Sequence, residues 1–128
     1  MIARPLPATQ TILVVEDEDG LRELARRLLT RLGYIVLVAA NANDALRKFD
    51  ENATIDVVLT DVVMPGASGP ELSAQLEERR PGLKVIYMSG YTEEAIVQHG
   101  VLKPGISFLS KPFTSDSLGE KIRQMLEQ

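Results

Sequence analysis

The 128-residue chain contains no cysteine. That absence excludes disulfide frameworks, thiolate nucleophiles and cysteine-ligated zinc, and it fits a reducing compartment. An excess of positive charge is also missing, since 14 Lys and Arg stand against 18 Asp and Glu for a formal charge of −4. Without a basic stripe to track a phosphate backbone, direct nucleic-acid binding is not expected. Long apolar runs are lacking too: each spans a few residues, against the ~20 that a membrane helix needs. The first ten residues have neither the cationic start nor the apolar stretch of a signal peptide. A cytoplasmic chain with no membrane insertion of its own is expected.

What is present is enough for one core. At 128 residues and 45% hydrophobic composition, the chain can bury a single sizeable core and is too short for two ordinary domains. Residues 1–9, with Pro5 and Pro7 and little periodicity, read as a tail or linker, and residues 10–128 as the domain. Short apolar runs at residues 12–15, 35–38, 57–59 and 85–88 are nearly continuous and rich in β-branched side chains, the pattern of strands buried on both faces. A fifth run, 106–109, carries the same signal more faintly. Between the first two, Leu21, Leu24, Ala25, Leu28, Leu29 and Leu32 recur at helical spacing, and Gly33 follows as a stop. Asn41 is placed to cap a second helix with Ala45, Leu46 and Phe49, and Ser68 with Glu71 forms a capping-box pattern for a third with Leu72 and Leu76. Thr92 and Thr114 are placed to cap two more, the last burying Leu118, Ile122, Met125 and Leu126.

Five repeats of strand and helix imply a parallel sheet covered on both faces, a three-layer α/β/α domain of the flavodoxin-like type with strand order 2-1-3-4-5. In such sheets the loops leaving the carboxyl ends of the strands form the binding crevice. Those ends hold Glu16 and Asp17 after the first strand, Asp61 after the third, Ser89 after the fourth and Lys111 after the fifth. Neighbouring first and third strands would gather Glu16, Asp17 and Asp61 into an acidic cluster whose repulsion calls for a cation or for Lys111. Oxygen-only ligands favour a hard divalent ion, and Mg²⁺ commonly takes one or two protein carboxylates and keeps several waters. Each residue also has a plainer reading. Glu18 or Asp19 would serve the helix N-terminus, Ser89 a turn, Lys111 the solvated surface, and Phe108 the strand core.

Four segments carry a resemblance: Ile12-Leu13-Val14-Val15-Glu16-Asp17-Glu18, Leu59-Thr60-Asp61-Val62-Val63-Met64-Pro65-Gly66, Met88-Ser89-Gly90-Tyr91 and Leu109-Ser110-Lys111-Pro112-Phe113. Together they resemble the signature segments of response-regulator receiver domains of two-component systems, over roughly residues 10–127. The resemblance implies that Asp61 is the phosphoacceptor, supplied by a histidine kinase or histidine phosphotransfer domain. It implies that Glu16, Asp17, Asp61 and the Val63 backbone carbonyl hold Mg²⁺, that Lys111 assists transfer, and that Ser89 and Phe108 are the switch pair. It further implies a cis Lys111-Pro112 bond, tuning of phosphoryl lifetime by Val63 and Tyr91, and a downstream partner on the surface of the fourth helix, fifth strand and fifth helix. A phosphorylation-dependent homodimer belongs to the same set of expectations. Glu16-Asp17 departs from the more usual Asp-Asp pair, its first carboxylate being one methylene longer.

The stretches 88–91 and 100–111 look like receivers of hybrid sensor histidine kinases, so the domain is expected to be part of such a kinase, itself a phosphoacceptor and not an independent enzyme. A stand-alone regulator is the alternative. A haloacid-dehalogenase-type phosphatase is a second one, because Asp17-Glu18-Asp19-Gly20 partly imitates that family's nucleophile segment, with Asp17 as nucleophile. His99, the single histidine, is expected near the end of the fourth helix, away from the strand-end cluster.

Overall fold

The computed structural model describes residues 10–98, 100, 102 and 106–127. The tail expected at 1–9 and the position expected for His99 lie outside the described residues. Strands and helices alternate as β1 (Thr11–Val15), α1 (Asp19–Arg31), β2 (Ile35–Ala39), α2 (Ala42–Glu51), β3 (Ile55–Asp61), α3 (Gly69–Arg79), β4 (Lys84–Ser89), α4 (Glu93–Gln98), β5 (Ser107–Ser110) and α5 (Ser115–Leu126). The strands form one sheet in the order β2-β1-β3-β4-β5, and every pairing is parallel. This is the flavodoxin-like arrangement expected from the alternation. Among the described residues no helix is long and apolar enough to cross a membrane.

The sheet is parallel because each return passes through a helix, and the helices cover both faces. All five residues of β1 are consequently buried. Side chains alternate between faces: Ile12 and Val14 pack with Ala25, Leu29, Leu118 and Ile122 of α1 and α5, while Leu13 and Val15 pack with Ala45, Phe49, Leu72 and Leu76 of α2 and α3. A third cluster gathers Val62, Ile96, Leu102 and Phe108 beside Tyr87 and Ile106.

The caps form as the sequence suggests. Asn41 Oδ1 accepts the Asp44 N–H at 2.8 Å, and Thr92 Oγ1 accepts the Ala95 N–H at 3.2 Å. Ser68 with Glu71 and Thr114 with Ser117 form reciprocal boxes. Each such cap contributes about 1 kcal/mol by satisfying a helix-end donor. Helix α1 differs. Glu18 occupies its N-cap position without a side-chain cap bond, and Asp19 pairs with Arg22 instead.

Two further differences follow from geometry. Leu24 and Leu32, expected on the buried face of α1, are exposed. A helix on a sheet buries a stripe roughly 100° wide, and Ala25 and Leu29 fill it. Strands β3 and β4 also outrun their apolar runs, so Asp61 and Ser89 are the last residues of the strands and not the first of the loops. Backbone pairing, which is indifferent to side-chain polarity, continues through Asp61↔Met88 and Ser89↔Ser110.

Candidate functional site

Parallel strands deliver Glu16, Asp61, Ser89 and Lys111 to one end of the sheet. The Glu16 backbone stays tied to β2 through its N–H on the Ala39 carbonyl at 3.0 Å. Its side chain points inward and the residue is only 2% exposed. Glu16 Oε1 accepts from Lys111 Nζ at 2.6 Å, and Oε2 accepts the Glu18 N–H at 3.1 Å. Asp61, 8% exposed, has its Oδ2 at 3.2 Å from the same ammonium. Lys111 is held in turn by its backbone N–H on the Ser89 carbonyl at 2.9 Å, and the Lys111-Pro112 bond is cis. Asp17 is exposed at the rim. One carboxylate oxygen each from Glu16, Asp17 and Asp61 lies within 4.8 Å of the others.

Two carboxylates thus share one ammonium with a third beside them, and the electrostatics reflect the shortage of positive charge. Burial pushes the Asp61 carboxyl above its usual pKa, with the Asp17 charge adding to the rise and Lys111 opposing it. Burial likewise raises Glu16, assisted by the Asp61 charge and opposed by Lys111 and the Glu18 N–H. At Lys111 burial works against the charged form, yet the Glu16 hydrogen bond and the Asp61 and Glu16 charges outweigh it and hold the pKa up. The cluster suits a small hard cation. It offers oxygen donors only, close together and short of compensating charge, and the hydrogen bonds on Glu16 leave each of its oxygens a lone pair.

The remaining expected residues lie on β4, on β5 and on the loops that leave β3 and β4. Ser89 is 3% exposed, and its hydroxyl oxygen accepts the Tyr91 N–H at 3.0 Å. Phe108 is buried against Val62, Ile96 and Leu102, beside Tyr87 on the neighbouring strand. Val63 and Tyr91 are both exposed, on the loops that leave β3 and β4. Two residues to which the sequence assigns no role also belong to the frame. Thr60 donates its hydroxyl to the Asp61 carbonyl at 3.1 Å, and Gly69 donates its N–H to the Val62 carbonyl at 2.9 Å. A glycine opening a helix, where alanine is the better former, was the available signal for the second.

Comparison with known proteins agrees with this geometry. Residues 12–123 match the response regulator receiver domain family. The chain is 38% identical over 127 residues to the sensor kinase CckA of Brucella abortus (strain 2308), a match covering 98% of this chain and 13% of that protein. It is 34% identical to the C4-dicarboxylate transport transcriptional regulatory protein DctD of Pseudomonas aeruginosa, over 96% of this chain and 26% of that protein. The chain therefore spans a small part of the length of these relatives. The crystal structure of the receiver domain from the hybrid histidine kinase CckA superposes with a TM-score of 0.77 at 39% identity, over 91% of this chain and 98% of that one. The response regulator TrrA from Thermotoga maritima in complex with Mg²⁺-BeF gives 0.77 at 30% identity, over 91% and 99%.

The chain belongs to the response regulator receiver domain family. It is a receiver domain of two-component signalling, homologous to the receiver of the hybrid kinase CckA, and the haloacid-dehalogenase alternative falls with that membership.

Proposed function

We propose that this domain accepts a phosphoryl group on Asp61 from a phosphohistidine of a histidine kinase or histidine phosphotransfer domain. The observation that carries the reading is the position of the Lys111 ammonium, 3.2 Å from Asp61 Oδ2 within a cluster of three carboxylates. A carboxylate oxygen of Asp61 attacks phosphorus in line; the O–P bond forms as the P–N bond breaks, and the imidazole leaves. Positioning and charge neutralisation supply most of the catalysis in such transfers. Glu16, Asp17, Asp61 and the Val63 carbonyl would hold Mg²⁺, which would supply positive charge against the phosphoryl oxygens. Lys111 contributes the rest, and its competing hold on Glu16 keeps it aimed inward.

The added oxygens draw the Ser89 hydroxyl away from the Tyr91 N–H, and Phe108 turns into the space released. That shift biases two states of the α4–β5–α5 surface, which receives the downstream protein or a second copy of the domain. The parent is a cytoplasmic hybrid kinase, with residues 1–9 as linker and 10–128 as the receiver; the similarity to CckA supports this origin.

The reading is tested by incubating the domain with a radiolabelled histidine phosphotransfer domain and Mg²⁺, then mapping the label by proteolysis. Label is expected on Asp61; label on Asp17 or none at all contradicts the reading. The same experiment times decay. Val63 and Tyr91, exposed on the loops that leave β3 and β4, hinder the attacking water, so the label is expected to persist well beyond seconds, and Tyr91→Ala to shorten it. Loss of the native label within seconds would refute the tuning role.

A further inference from the structure

Gly69 opens α3. Alanine is favoured over glycine in helices, yet there is no room for one here. A Cβ on Gly69 would stand 2.3 Å from the Asp61 carbonyl oxygen, and 3.2 Å from both the Asp61 carbonyl carbon and the Val62 Cα. Carbon contacts settle near 3.5–4.0 Å, and all three neighbours are backbone atoms, so no side-chain rotation relieves the clash. Nor is the glycine required for its own backbone angles. Among the described residues the glycines with positive φ are Gly33, Gly66, Gly82 and Gly100, and Gly69 is not among them.

The close approach sits at a junction. The Gly69 N–H reaches the Val62 carbonyl at 2.9 Å, and the Val62 N–H reaches the Met88 carbonyl of β4 at 2.9 Å. The loop of residues 62–68 therefore leaves β3 and returns against the peptide it left, with Val63 on it. We infer that Gly69 is a positioning residue for phosphoryl transfer: its missing side chain lets α3 press on the Asp61 peptide and fixes both the Asp61 carboxylate and the Val63 carbonyl. The inference rests on Asp61 being the acceptor. A Cβ at residue 69 must push the helix start and the Asp61 peptide apart, and a displacement near 1 Å costs on the order of 10²-fold in rate.

The test compares the native chain, Gly69→Ala and Gly82→Ala. Gly82 has φ +82° and nothing within 4 Å of its added Cβ, so its substitution strains the turn before β4 without touching Asp61. Three quantities are measured: melting temperature, Mg²⁺ affinity by calorimetry, and the rate of phosphorylation by acetyl phosphate. Gly82→Ala is expected to melt lower while keeping both the native affinity and the native rate within about threefold. Gly69→Ala is expected to fold, to bind Mg²⁺ more weakly and to be phosphorylated roughly 10- to 100-fold more slowly. Native-like affinity and rate in Gly69→Ala would overturn the inference. So would failure of Gly69→Ala to fold at 25 °C, since the glycine would then serve the whole fold and not the acceptor. A native chain that takes no phosphoryl group would instead remove the acceptor reading beneath it.

Discussion

Lys111→Met is expected to lower the melting temperature of the metal-free domain by roughly 10 °C and to slow phosphorylation by about 10²- to 10³-fold. The stability loss follows from what the ammonium faces. It donates to Glu16 Oε1 at 2.6 Å and lies 3.2 Å from Asp61 Oδ2, and all three side chains are largely shielded from water. Removing one partner of a buried ionic group costs about 3–5 kcal/mol because the others stay buried and uncompensated. The lower end applies here, since the orphaned carboxyls can take up protons instead of remaining charged. That escape has a pH signature. Without Lys111 the already raised pKa values of Glu16 and Asp61 rise further, so the folded state binds protons more tightly than the unfolded one. The deficit of the variant should therefore shrink as pH falls through those raised values and reach its full size above them. A thermal melt across pH measures it; a constant deficit at every pH would mean that Lys111 acts by packing alone. The rate loss has a separate origin, the removal of a positive group from the oxygens where charge develops in transfer.

Asp61→Asn has the opposite effect on stability. Burial, reinforced by the Asp17 charge and opposed by Lys111, holds the Asp61 carboxyl above its ordinary pKa. A carboxyl with a raised folded pKa binds its proton more tightly in the folded state. Stability accordingly falls as pH rises from the unfolded value through the folded one, and above that window the ionised group is a net cost. The amide removes that cost. At neutral pH and without divalent ions, Asp61→Asn should melt a few degrees above the native chain, the change that about 1 kcal/mol produces in a domain of this size. Millimolar Mg²⁺ should reverse the order, because a ligand that binds only the folded state stabilises it in proportion to affinity, and the native cluster carries one more anionic ligand. Calorimetric scans with and without Mg²⁺ measure both effects. A variant less stable than native in the metal-free scan would show that Lys111 already compensates the cluster in full.

The sequence made the architecture legible because parallel strands are buried on both faces, so runs such as Ile12 to Val15 have no polar alternation to blur them. Helix ends were equally plain where an oxygen side chain performs the capping, as at Asn41, Ser68 and Thr114. The start of α1 was not plain. Glu18 and Asp19 looked like the capping residues, but it is Glu16, from inside the sheet end, whose carboxylate receives the Glu18 N–H. Only the three-dimensional path of the loop decides which carboxylate turns inward. Asp61 and Lys111 could be placed at the same end of the sheet from the strand ends alone. That Lys111 bonds Glu16 more closely than Asp61 could not be read from spacing. Gly69 escaped notice for a related reason: a close approach between two backbones leaves no pattern in side chains.

The most direct test of the account is intact-protein mass spectrometry after incubation with acetyl phosphate and Mg²⁺, run on the native chain and on Asp61→Asn. The account predicts that the native protein gains the mass of one phosphoryl group and that Asp61→Asn, still folded, gains none. An unchanged native mass, or an equal gain in both proteins, would contradict it.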